Sequence, residues 1–231
     1  MARAEPPTAL PGDAPIADLR FQPAFDYDTD GCYPTPAIGT DGTIAPGLNP
    51  TGALDGNCRD ESDLRNTNSY SRSKCNNGWC AYMYALYFEK DQAVPGAGGP
   101  VTGHRHDIEH VVVWVSQATD SPHWVSVSCH GDYKTYAYSQ AAWQGNHAKV
   151  VYHKDGPNTH CFRTARQSEE PENHDRTWQY PPLVGWDNFP PGFLDKLMTF
   201  DFGRASFDLR RGYFEPNLAD AMPELPFDPY A

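Results

Sequence analysis

His104-Arg105-His106-Asp107-Ile108-Glu109-His110 gathers three imidazoles and two carboxylates in one uninterrupted stretch. On a strand, alternate side chains share a face. Asp107 and Glu109 therefore point one way with Val111 and Val113, while Ile108, His110, Val112 and Trp114 point the other. Two carboxylates side by side at the end of an apolar face repel each other unless a cation or a proton intervenes. His104 has the opposite parity and joins them only where Gly103 to His106 leaves strand geometry, which Gly103 and the glycine-rich stretch before it make easy. Oxygen donors with one imidazole suit a hard divalent ion, Mg2+, Ca2+ or Mn2+, with water completing its shell; zinc would draw more His or Cys. The plainer reading is a solvated strand end with ordinary surface charges.

The elements that must position these residues are mainly β. Trp79 to Phe88 is continuously apolar, as in a strand buried on both faces. Asp107 to Val115 reads as a strand, and Trp124 to Ser128, Tyr133 to Tyr138 and Lys149 to Tyr152 follow at hairpin-like spacing. Residues 1 to about 75, rich in Pro, Gly and Asn, read as loops, with a flexible segment over 1–20 and one domain over 21–231. Residues 164–180 are turn-rich. Pro191 to Phe200 reads as a helix, and the proline-bearing tail from Pro216 is expected to lie over the surface. Several short strands and one late helix predict a β-sandwich with peripheral loops.

Composition narrows the function. Acidic residues number 30 against 18 basic ones, a formal net charge of −12. That balance opposes nucleic-acid binding and electrostatic capture by anionic lipid, both of which need clustered Lys and Arg. A membrane partner would have to be recognised through its head group. No apolar run in the sequence has the roughly 18–20 residues that span a bilayer. Six cysteines without a CxxC pair read as disulfides of an oxidising compartment. Neighbours in sequence suggest Cys32–Cys58 and Cys75–Cys80, leaving Cys129 with Cys161, and the chain reads as secreted. No GxSxG, Walker loop or GxGxxG occurs, so hydrolase, NTPase and dinucleotide-binding readings lack support.

The stretch Gly103 to Glu109, GHRHDIE, resembles the GHRHDWE heptapeptide of the necrosis- and ethylene-inducing peptide-like family. Tyr87-Phe88-Glu89-Lys90-Asp91-Gln92, Gly31-Cys32-Tyr33-Pro34, residues 149–162 and residues 183–190 are similar to family segments in the same order, so the resemblance spans about residues 20–220. It implies a β-sandwich resembling actinoporins and fungal lectins, and metal ligands at Asp91, His104, Asp107 and Glu109. His106 would be the other heptapeptide histidine and His160 a histidine near the metal. It further implies secretion, binding of plant plasma-membrane glycosylinositol phosphorylceramide head groups through the ion, membrane damage without catalysis, and a monomer. Two departures bear on toxicity. Ile108 stands where the family has Trp, and Asp155 and Gly156 stand where a family tryptophan lies near the downstream histidine.

Asp26-Tyr27-Asp28-Thr29-Asp30-Gly31 carries acids at alternate positions before a glycine, the front half of an EF-hand loop without its closing Glu. The Cys75–Cys80 pair resembles that of the family's second type, which has an extra calcium-binding region, so Asp26, Asp28 and Asp30 are expected to hold a second Ca2+. The alternatives are a metal-dependent hydrolase in which His106 or His110 activates water, and a non-toxic family member that binds glycan or lipid.

Overall fold

The computed structural model describes residues 5–96 and 103–231. Two long strands dominate it, β3 (Trp79–Gln92) and β4 (Gly103–Ser116), antiparallel over their full length. With β2 (Ser69–Asn76), β5 (Ser121–Cys129), β6 (Asp132–Ala137) and β10 (Leu183–Gly185) they form a six-stranded sheet in the order β10-β2-β3-β4-β5-β6. The second sheet is smaller. Its centre is β8 (His147–Lys154), which pairs with β1 (Ala24–Tyr27) in parallel and with β9 (His160–Thr164) and β7 (Trp143–Gln144) in antiparallel fashion. The β-sandwich expected from the strand pattern is the architecture observed.

The two sheets close over a core that includes Tyr84, Leu86 and Phe88 of β3, Val111 and Val113 of β4, and Val150, Tyr152 and Phe162 of the second sheet. Residues of opposite parity, Met83, Ala85, Tyr87, Ile108, Val112 and Trp114, enter a second core on the outer face of the large sheet. That face is covered by α3 (Phe193–Thr199), α4 (Phe214–Ala221) and the chain between and beyond them. Burial on both faces explains why β3 and β4 read as unbroken apolar runs.

Three expectations need correction. The tail from Pro216 does not merely lie over the surface: Phe214, Leu218 and Ala221 of α4 are buried in the outer core. Pro216 stands in the first turn of that helix, where no amide hydrogen is required of it. Residues 1–4 of the stretch expected to be flexible lie outside the described residues. From residue 5 the chain is packed: Leu10 is buried, the Ala9 and Leu10 amides donate to Asn66 and Asn68, and α1 (Ile16–Phe21) follows. The loop-rich first 75 residues also hold β1, β2 and α2 (Glu61–Arg65), too short to leave a periodic signal. All three cysteine pairs, Cys32–Cys58, Cys75–Cys80 and Cys129–Cys161, are disulfides.

Candidate metal centre

The site lies where β4 outruns β5. β4 keeps β3 beside it down to Gly103, but its pairing with β5 begins only at Val111, opposite Val127. Where the two strands part, Ser128 accepts the His110 amide through Oγ at 2.7 Å and donates its hydroxyl hydrogen to Glu109 Oε2. The gap is a pocket of about 340 Å3 lined from both faces of β4, by Asp107 and Glu109 and also by Ile108 and His110.

His104 reaches the carboxylate face by the departure from strand geometry that its parity requires. His106 has φ +60°, and the strand resumes its pairing with β3 on either side of it. The His106 carbonyl then meets His104 Nδ1 at 2.7 Å. With Nδ1–H donating there, Nε2 is left with a free lone pair, 3.9 Å from Asp91 Oδ2. Gly103 is required by proximity, because a Cβ there would lie 2.2 Å from the Asp91 carbonyl oxygen. Residues 97–102, on which much of the glycine-rich stretch falls, lie outside the described residues.

Asp91, facing His104 across the β3–β4 ladder, completes a cluster with His104 and Asp107. One ligand atom from each lies within 4.8 Å of the others, a spacing that fits a single ion with oxygen ligands at about 2.3–2.6 Å. Glu109 lines the same pocket one pleat deeper, outside that close group, with Ser128 on its carboxylate. Burial pushes the Asp107 carboxyl up to about 7, helped by the negative charge of Asp91 and opposed by His104 and by the Tyr152 hydroxyl, which donates to Oδ2 at 2.8 Å. Burial and the neighbouring Asp107 push Glu109 well above its ordinary range. Both groups resist ionisation unless positive charge is supplied, so the donor set fits a divalent cation.

His160 buttresses Asp91. Its backbone amide donates to both carboxylate oxygens at 2.9 and 3.0 Å, and Nδ1 lies 2.7 Å from Oδ1. Its ring stacks on Tyr152, which stacks on Phe88. Burial opposes its protonation, but Asp30 and Asp91 outweigh it and raise the imidazole to about 9. His106 sits elsewhere, on the outer face of the sheet among Tyr87, Phe200 and Phe202, with the Tyr87 hydroxyl 2.7 Å from Nδ1. Burial lowers it to about 4, and Gly47 packs so closely on its ring that a Cβ would meet it at 2.7 Å. It is a structural histidine of this fold.

The expected second cation site does not assemble. Asp26 accepts the Glu172 and Asn173 amides and the Asn173 side chain, Asp28 faces Arg163 at 3.5 Å, and Asp30 turns toward His160 Nε2 at 3.6 Å. Among the described residues, these three carboxylates form no close ligand group. Another grouping, Cys129, His130, Asp155 and Cys161, has both its sulfurs committed to a disulfide. Ser128 and Asp208 of the pocket, and Tyr152 behind Asp107, were not legible as site residues, since each comes from a segment whose own pattern carries no ligand signal.

The family model of the necrosis inducing protein (NPP1) matches residues 16–221. The chain belongs to the necrosis-inducing protein family. NLP effector protein 10 of Phytophthora capsici is 35% identical over 207 residues, 88% of this chain and 81% of that protein. The solved structure of NLPPya in complex with mannosamine superposes with TM-score 0.78 at 31% identity, covering 94% of this chain and 97% of that one. Non-toxic HaNLP3 superposes with TM-score 0.77 at 26% identity and the same coverage. The necrosis-inducing family thus supplies the fold, and its heptapeptide falls at the strand fork described above.

Proposed function

We propose that this protein is a secreted cytolysin that grips the sugar head group of a plant plasma-membrane glycosylinositol phosphorylceramide through a divalent cation, Mg2+, Ca2+ or Mn2+. The carrying observation is the convergence of Asp91, His104 and Asp107 in an acidic pocket where the Asp107 and Glu109 carboxyls resist ionisation. Asp91, His104 and Asp107 would hold the ion, and Glu109 would reach it by releasing Ser128 or through water. A bound ion offers open coordination positions to sugar hydroxyls. His160 fixes the Asp91 carboxylate, and Tyr152 fixes that of Asp107. The complex of NLPPya with mannosamine supports an amino sugar as one ligand class. Three disulfides support an oxidising, extracellular setting.

A leakage assay on vesicles containing plant glycosylinositol phosphorylceramide tests this reading. Dye release that EDTA abolishes and Ca2+ restores, with no new lipid species by mass spectrometry, is the expected result. A cleaved lipid would favour the hydrolase reading instead. Ile108 lining the pocket where the family motif has Trp, together with a non-toxic relative of the same fold, favours a second reading as a non-toxic binder. Cation-dependent lipid binding without leakage or injury to eudicot leaves would select it.

A further inference from the structure

The pocket does not end at the cation cluster. Beside Ile108 and Glu109 its wall also includes His110, Tyr133 and Asp208. His110 is 4% exposed, and its Nε2 has no hydrogen-bond partner among the described residues. Asp208 Oδ1 is likewise buried and unpartnered. Both backbones are anchored at the pocket wall. The His110 amide is held by Ser128, and Asp208 stands between Phe207 and Leu209, both buried in the outer core. The Tyr133 hydroxyl already donates to Asn217 at 2.9 Å, so it does not serve either atom. Native interiors leave few buried polar atoms unpaired. Two of them on the wall of one cavity point to a group that enters it.

The chemistry of the two atoms selects that group. Asp208 Oδ1 needs a donor. His110 Nε2 offers a donor or an acceptor according to its tautomer, and a hydroxyl answers both. Arg204, on the wall of the same pocket, supplies a further donor for a sugar oxygen. Ile108 supplies an apolar wall for ring carbons, and about 340 Å3 is at the small end of ligand pockets, which run from about 300 to 1,000 Å3. We propose that His110 and Asp208 form a subsite that hydrogen-bonds two hydroxyls of a single sugar ring whose other hydroxyls face the cation cluster. The subsite extends the head-group reading given above and rests on it.

Titration calorimetry on the full chain, with glucosamine and with glucose as probes in saturating Ca2+, tests it beside a separate Ca2+ titration. In Asp208→Asn and in His110→Gln, affinity for both sugars should fall about tenfold or more, the scale of a hydrogen bond to a charged or buried partner, while Ca2+ affinity stays within about twofold of the parent. The two variants are read independently, so either one carries the test if the other does not fold. Unchanged sugar affinity in the folded variants overturns the subsite, and a loss confined to glucosamine overturns the assignment to hydroxyls. Wild-type protein that binds Ca2+ but neither sugar overturns the head-group reading and the subsite together. Sugar binding that survives EDTA yet falls in Asp208→Asn overturns the cation reading alone.

Discussion

Asp26, Asp28 and Asp30 alternate along the chain much as Asp107 and Glu109 do, yet the two acidic groupings have opposite surroundings. Asp26 sits in β1 with backbone amides and an asparagine on its carboxylate, Asp28 has Arg163, and the turn after β1 carries Asp30 off to His160. Asp107 and Glu109 stay on one face, receive the hydroxyls of Tyr152 and Ser128 among the described residues, and look at a third carboxylate across the ladder. Spacing brings acids near each other; what separates a candidate ligand set from a structural brace is which groups converge on them. Asp107 has Asp91 and His104 within ligand reach, whereas Asp26 is met by amide donors.

The contrast can be broken by substitution. The largest effect should come from Asp107→Asn, which is expected to abolish measurable Ca2+ binding by calorimetry. The cation-free fold should be no less stable in urea, because a buried charge facing Asp91 has been removed. Asp26→Ala should do the reverse, leaving Ca2+ affinity unchanged while costing about 3 kcal/mol in urea unfolding as its buried donors lose a charged acceptor. A smaller effect concerns pH. The Asp107 carboxyl is raised from 3.8 to about 7, so the folded state binds its proton more tightly than the unfolded chain. The stability it contributes is full below pH 4 and is lost as pH rises through 7. His160, raised from 6.5 to about 9, adds a decline at higher pH, whereas His106 and His153, lowered to about 4, lose stability as pH falls below 6.5. The difference between wild type and Asp107→Asn, measured without cation from pH 4 to 8, isolates the Asp107 share and should grow with pH. Saturating Ca2+ should change the slope of the wild type only. Asp28→Asn should have the smallest effect, within about 0.5 kcal/mol and with no change in Ca2+ affinity, since the group is only partly buried and Arg163 offsets its charge.

The strands bearing the site were legible because burial on two faces left β3 and β4 without polar interruptions. The shared face of Asp107 and Glu109 followed from strand period alone. The entry of His104 was legible only as a condition, met by the left-handed backbone at His106. Other parts left no local trace. Pro216 disguised α4 because a proline in a first helical turn reads as a breaker. The donors that serve Asp26 come from residues 172 and 173, so no window around residue 26 distinguishes it from a calcium ligand. Asp208 meets His110 across nearly a hundred residues of chain, and only the packing of Phe207 and Leu209 puts it there.

The partial pairing of β4 also sets a gradient of motion within one strand. From Val111 onward it has neighbours on both sides, while from Gly103 to His110 it is laddered to β3 alone among the described residues. Amide hydrogens of the doubly paired half should exchange with solvent only when the whole domain opens, and those on the forked half through cheaper local excursions. An ion or a sugar lodged in the fork would stand in for the missing neighbour and slow exchange in the upper half alone. Ligand binding would then be read in one half of a single strand, with the doubly paired half as its internal reference.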